Sequence, residues 1–302
     1  MDFFDIISYI LQDGIELGLI WALMALGIFI SFRVLDFADL TAEGTVTLGS
    51  AISLSLIVNN VNPVLAVLIA LAGGFLAGII TGILHTKLKI PAILAGIITM
   101  TGLYTINLRI MGKASIYTDA DTIYSFLRSF IDQSFYAKAP ISLFIIIIFF
   151  FILYWFFGTE IGMSIRATGM NQKMARAQGI NTHLMIILGL AISNALIALS
   201  GALSAQSAKS ANMDIGRGTI VIGLASIIIG EFIFGKRSFK NWLISVILGS
   251  ILYQTLVGVA TTLGLDPNDL KLLQSILIAL ILSLPLIKKL RLSRKKEVIN
   301  HA

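Results

Sequence analysis

Nine apolar runs carrying few charges punctuate this chain of 302 residues, at about 14–32, 44–58, 64–84, 90–111, 141–157, 184–205, 218–234, 242–262 and 272–287. Most approach the length that crosses about 30 Å of hydrocarbon as a helix. In lipid, every backbone amide and carbonyl must find a partner inside the protein, so such runs fold as helices or as strands of a closed barrel. Barrel strands alternate apolar and polar residues, which these runs do not. The expected fold class is all-α and polytopic, with about nine (eight to ten) transmembrane helices. A single transmembrane domain should fill residues 1–290, followed by a basic tail at 291–302. Composition agrees: 57% of residues are apolar and 13% charged, and mean hydropathy is +0.93. A soluble domain is usually about a quarter charged.

The N-terminus carries Asp2, Asp5 and Asp13 and no basic cluster, so the first run is expected to remain as a helix and not act as a signal peptide. Nine crossings put the termini on opposite sides. If the tail lies in the cytoplasm, fifteen of the 22 Lys and Arg fall on that side, which predicts N-terminus outside and C-terminus inside. The excess of basic residues therefore reads as topology rather than as nucleic-acid binding. There is no cysteine, and His85, His183 and His301 lie too far apart in sequence for metal-ligand spacing. No loop is large enough for a nucleotide-hydrolysing domain. The energy for any transport must come from an ion gradient or from another chain.

Two of the shorter runs echo each other. Asp39 leads into GTVTLGSA at 44–51, and Asp214 leads into GTIVIGLA at 218–225, with Gly, Thr, Gly and Ala in register. Five crossings separate them, so they point in opposite directions, as an inverted repeat requires. Short or glycine-interrupted segments at matching places in two halves point to a transport path. Asp39, Thr41, Glu43 and Gly44 either open a broken helix beside that path or form an ordinary interfacial cap. Asn107 and Arg109, at the end of the fourth run, either face a solute or reach for headgroups. Gln206, Ser207, Asn212 and Asp214, before the seventh run, carry the same two readings, and Gly218 at its start is a further candidate for the path. Proton coupling through Glu43 is a further option. Gly74, Gly78 and Gly82, and also Gly14 and Gly18, form stripes suited to close helix packing. Gly230 to Arg237 nearly spells a phosphate-binding loop. It falls at the end of an apolar run, with Arg in place of the metal-binding hydroxyl, and is set aside.

The segment 158–183, between the fifth and sixth runs, is amphipathic. Met163, Ile165, Met170, Met174 and Ala177 can share one side, Arg166, Asn171, Lys173, Arg176 and Gln178 are polar, and Gly169 and Gly179 mark breaks. It should dock either on a protein partner or on anionic headgroups.

Four ordered stretches carry a resemblance: GLIWALMALGIFISFRVLDFADLTAEG, KIPAILAGIITMTGLYTINLRIMG, EIGMSIRATGMNQKMARAQGIN and NMDIGRGTIVIGLASIIIGEFIFG. Through them the chain, from 17 to about 287, resembles the permease subunits of bacterial ABC importers of the branched-chain amino acid type. The resemblance implies a type II importer-like permease in the bacterial cell membrane, without catalysis or a bound cofactor of its own. It also implies a second permease, as a homodimer, two copies of a cytoplasmic ATP-binding subunit that use ATP and Mg, and an extracytoplasmic solute-binding protein. Arg166, Ala167, Gly169, Asn171, Ala175, Arg176, Gly179 and Asn181 would then couple to the ATPase. The implied cargo is a small polar solute, an aromatic or branched-chain amino acid or related compound; the first loop reads DFADLTAEG where the commonest branched-chain pattern reads Asn-Phe-Ala-His/Gln-Gly, a departure that counts against branched-chain specificity. The alternative is a secondary transporter driven by protons or sodium.

Overall fold

The computed structural model describes residues 3–128, 138–262, 272, 275–276 and 279. Helix α1 (Phe3–Phe29) continues into a π-helical turn, Ile30–Val34, and is followed by α2 (Thr41–Val58), α3 (Pro63–Thr86) and α4 (Ala92–Met111). Strand β1 (Ser115–Tyr117) and α5 (Ile123–Arg128) precede α6 (Ala139–Phe156), α7 (Glu160–Met170), α8 (Gln172–Ala177) and α9 (Thr182–Ala208). Strand β2 (Ser210–Asn212), α10 (Thr219–Phe234) and α11 (Phe239–Thr262) complete the order. Eight of the nine apolar runs are thus helical. Seven of these helices are long and apolar enough to cross a membrane, and α10 is shorter. The ninth run lies almost wholly outside the described residues, and the basic tail does so entirely.

Helices α1 and α9 form the centre. Helix α3 packs along α9, α11 along α1, α2 fits among α3, α4 and α9, and α10 lies on α11 and α1. Lipid tails give helices no hydrophobic reason to associate, so close contact and interhelical hydrogen bonds must hold them. Both expected glycine stripes do this. A Cβ at Gly74 or Gly78 would run into the backbone of Asn194 or Leu190 in α9, and one at Gly14 or Gly18 into Thr255 or Ile251 in α11. Hydroxyls add further ties to α1: Ser193 and Ser200 donate to the carbonyls of Gly27 (2.7 Å) and Ile20 (2.8 Å), and Ser250 donates to that of Gly18 (3.0 Å). By contrast α6 leaves Phe144, Phe151 and Trp155 exposed, as a lipid-facing helix would.

Two connections re-enter the bundle. After the π-turn, Asp36 takes the left-handed conformation (φ 53°) and the chain folds back, placing Leu35 against Gly189 and Leu40 against Gly96. Helix α2 consequently starts three residues earlier than the apolar run suggested, beside Asn194 near the middle of α9. On the other side, β1 and β2 pair antiparallel through Ser115–Asn212, Ile116–Ala211 and Tyr117–Ser210. From β2 the chain descends to Gly216, which lies against the backbone of Glu43, and α10 begins there. The near-phosphate-loop motif is settled by the same helix. Glu231–Phe234 continue α10, Gly230 packs on the Ser245 carbonyl, and Glu231 binds Arg33 (2.9 Å) and the Trp242 indole (2.8 Å).

Candidate functional site

The first re-entrant segment delivers a carboxyl into the interior. Asp39 is fully buried, and its oxygens accept the Thr41 amide (2.9 Å) and the Asn194 side-chain amide (2.7 Å). The Thr45 hydroxyl reaches both the Asn194 side-chain oxygen (2.7 Å) and the Thr41 carbonyl (3.0 Å). A second chain of hydroxyls runs from Thr41 to Thr81 (2.8 Å) and on to Thr99 (3.0 Å). This seam joins α2, α3, α4 and α9 through partners that satisfy one another, the condition under which buried polar groups stiffen a core. Asn194, Thr81 and Thr99 were not anticipated. An asparagine in the middle of the 184–205 run was the signal available, since polar groups at membrane depth are costly and need partners.

Two residues on from Thr41 in α2 the interior opens. Glu43 accepts the Gly218 amide through one carboxyl oxygen (2.9 Å), so the N-terminus of α10 is capped by a residue of α2. Beside this cap lies a cavity of about 280 Å³ lined by Glu43, Gly44 and Thr47 from α2, by Met100, Thr101, Tyr104 and Asn107 from α4, and by Met213, Gly216 and Arg217 from the second re-entrant segment. Asn107 is 1% exposed; its amide donates to the Gly44 carbonyl (3.1 Å), and its side-chain oxygen has no partner among the described residues. Glu43, Gly44, Asn107 and Gly218 therefore converge, and Asp214 joins them through its ion pair with Arg217 (3.0 Å). Asp39 and Thr41 stand apart in the seam. Arg109 is exposed and does not line the cavity.

Gln206 lies elsewhere, as a pin beneath the β1–β2 face. It accepts the Ile123 amide (3.0 Å) and donates to Ser53 (2.9 Å) and to the Pro63 carbonyl (3.1 Å). Next to it Tyr124 meets Ser142 (3.2 Å). Burial pushes the Tyr124 phenol up to about 12, so it stays neutral across physiological pH.

On the opposite face, α7 and α8 form a ledge. Thr159 caps α7, and Asn171 ends it and caps α8 by accepting the amides of Lys173 (3.0 Å) and Met174 (3.1 Å). Gly179 turns the chain at φ 83°, and Asn181 caps α9 by accepting the Leu184 amide (3.2 Å). Arg176 donates to Thr182 (2.7 Å), and the Arg166 guanidinium lies 4.8 Å from the Phe239 ring centre. The apolar residues expected on a single side divide instead. Ile165 turns inward with Gly162, Thr168 and Ala175, while Met163, Met170 and Met174 point out, Met170 being 89% exposed. Ala177 is exposed and Ala167 half-buried. Heptad-like spacing cannot tell these two faces apart, because inward and outward positions are both apolar here. Gly169 presses on the Val34 carbonyl, so the ledge touches the π-turn directly.

A family model described as branched-chain amino acid transport system / permease component matches residues 10–284. A tyrosine transport system permease protein of Clostridioides difficile (strain R20291) is 41% identical over 263 residues, which cover 86% of each chain. The ribose import permease protein RbsC of Escherichia coli (strain K12) is 23% identical over 266 residues, 86% of this chain and 80% of that one. The galactofuranose transporter permease protein YtfT of the same strain is 25% identical over 266 residues, 86% and 75% respectively. No solved structure matches the chain.

Proposed function

The chain belongs to the permease family of branched-chain amino acid transport systems, multi-pass and non-catalytic membrane components of ABC transporters that work with ATP-binding subunits, and on that premise we propose that it carries a small amino acid inward by alternating access. The tyrosine permease relative supports an aromatic amino acid as cargo. Two copies of this chain form the pathway, two ATP-binding subunits supply the work from ATP and Mg, and a solute-binding protein delivers the cargo on the β1–β2 face. That face is extracytoplasmic, and so is the N-terminus. The C-terminus and the α7–α8 ledge are cytoplasmic.

The observation that carries this reading is the ledge. Two short capped helices bury Ile165 and Ala175 in the bundle and hold Met163, Met170 and Met174 out in solvent beside Lys173. Exposed methionines suit a packing surface. Its residues Arg166, Ala167, Gly169, Asn171, Ala175, Arg176, Gly179 and Asn181 form the coupling segment. Asp39, Thr41, Glu43, Gly44, Asn107, Gln206, Asp214 and Gly218 belong to the path and its supports. Contact of Gly169 with Val34 gives the ledge a route to the first re-entrant segment, and from there through Glu43 to α10.

The packing also favours an inverted repeat. The first and sixth runs (α1, α9) meet at the centre, the second and seventh (α2, α10) are the echoing pair, and α3 on α9 matches α11 on α1. In register, Gly49 of α2 abuts Ala198 of α9, and Gly223 of α10 abuts Ile28 of α1.

Met170→Glu together with Met174→Glu tests the coupling. Both side chains are solvent-exposed, so the fold should be kept while solute-stimulated ATPase activity of the assembled complex falls at least about tenfold, the effect of placing charges in an apolar contact. Full stimulation in the double variant would remove the ledge from the coupling role.

A further inference from the structure

We propose that Glu43 and Asn107 form a receptor for the protonated amine of the transported solute; the proposal rests on reading the cavity between α2, α4 and the second re-entrant segment as part of the solute path.

Each side chain has spent one polar atom on the protein and keeps another. The Glu43 carboxyl takes the Gly218 amide through one oxygen, and its second oxygen makes no hydrogen bond among the described residues. Asn107 anchors its amide nitrogen on the Gly44 carbonyl, which fixes the orientation of the group and leaves its oxygen an orphan acceptor at 1% exposure. A buried acceptor without a partner costs roughly 1–3 kcal/mol. Both residues line the same cavity. The Thr47 and Thr101 hydroxyls donate to the Glu43 (3.2 Å) and Ile97 (2.8 Å) carbonyls and Arg217 pairs with Asp214 (3.0 Å), so none of these lining donors serves either oxygen among the described residues. Helix N-termini ordinarily attract anions, but the positive end of α10 already faces this chain's own carboxyl, so an anionic group of a solute gains little there. A primary ammonium has three N–H donors and a positive charge, enough to serve both oxygens at once. The remaining wall is mostly apolar and aromatic, with Met100, Tyr104 and Met213 beside Thr47, Thr101 and the Asp214-paired Arg217. This suits the uncharged body of an amine-bearing solute better than a polyol, whose hydroxyls would find few partners on it.

The absence of cysteine makes a direct test available. Thr101 lines the cavity and is exposed, so Thr101→Cys in the full chain, purified into lipid nanodiscs, gives a single thiol whose reaction with a water-soluble methanethiosulfonate reports occupancy. The proposal predicts that L-tyrosine and tyramine slow the labelling, whereas 3-(4-hydroxyphenyl)propionate, which lacks the amine, and ribose do not. Added Glu43→Gln keeps an acceptor for the Gly218 amide. It should weaken protection by both amines about tenfold or more, the usual worth of a charge-assisted hydrogen bond. Equal protection by the deaminated acid or by ribose, or undiminished protection in Glu43→Gln, would overturn the ammonium receptor and leave the cavity on the path. Should no compound protect Thr101→Cys at all, it is the path reading itself that fails. If Glu43→Gln does not assemble, the four-compound comparison on the parent thiol decides alone.

Discussion

Asn194 shows how much a single side chain can organise in a membrane interior. It donates to Asp39 and to the Leu190 carbonyl, and it accepts from Thr45. Removing it strands a buried carboxyl oxygen. Asn194→Leu should therefore lower the stability of the detergent-purified chain by about 2 kcal/mol, toward the upper end for a polar contact in a membrane. Thr99→Val, at the far end of the same seam, should cost only about 0.5 kcal/mol, because the Thr81 proton can turn to the Ala77 carbonyl at 3.2 Å. Thermal melting followed by circular dichroism compares the two, and equal losses would show that the seam is not the ordered network described. At this scale the sequence was partly legible. Asp39, Glu43 and Asn107 stand out because charge and amide are rare among apolar residues. Thr45 and Thr81 in the seam and Tyr104 at the cavity are ordinary helix residues, and only the fold reveals where they point.

Helix positions were the most legible feature: seven of the nine apolar runs coincide with helices within three residues, and the first falls on α1 and its π-turn, although α1 begins eleven residues earlier. The re-entrant segments were not. A segment that folds back has the same length and composition as a loop, and only the partners around Asp39 and Gly216 reveal its depth. The division of the α7 face was hidden for a related reason: Ile165 and Met163 are equally apolar, and the fold alone turns one inward and the other out. The glycine stripes, by contrast, were readable from spacing, and they make a sharp prediction at the scale of helix pairs. A Cβ at Gly78 would meet the Leu190 carbonyl, whereas one at Gly102 meets nothing within 4 Å. Gly78→Ala should force α3 off α9 and cost about 1–3 kcal/mol. Gly102→Ala should instead gain up to about 1 kcal/mol from helix propensity alone. The ratio of monodisperse protein recovered after a heat step reads both, and a tolerated Gly78→Ala would mean that α3 and α9 do not pack at this distance.

Across the whole molecule, the parts form one mechanical route. The ledge of α7 and α8 presses through Gly169 on the π-turn, the π-turn leads to the buried Asp39, and two residues on from Asp39's partner Thr41, Glu43 meets α10 and the cavity. On the proposed function, displacement is imposed at the ledge and delivered to the cavity. That division of labour is the core of the account. It is tested most directly by uptake of labelled L-tyrosine into proteoliposomes containing this chain, with and without its ATP-binding partner. The account predicts accumulation only with the partner and ATP, and none by this chain alone under an imposed proton or sodium gradient. Gradient-driven accumulation by the isolated chain would contradict it.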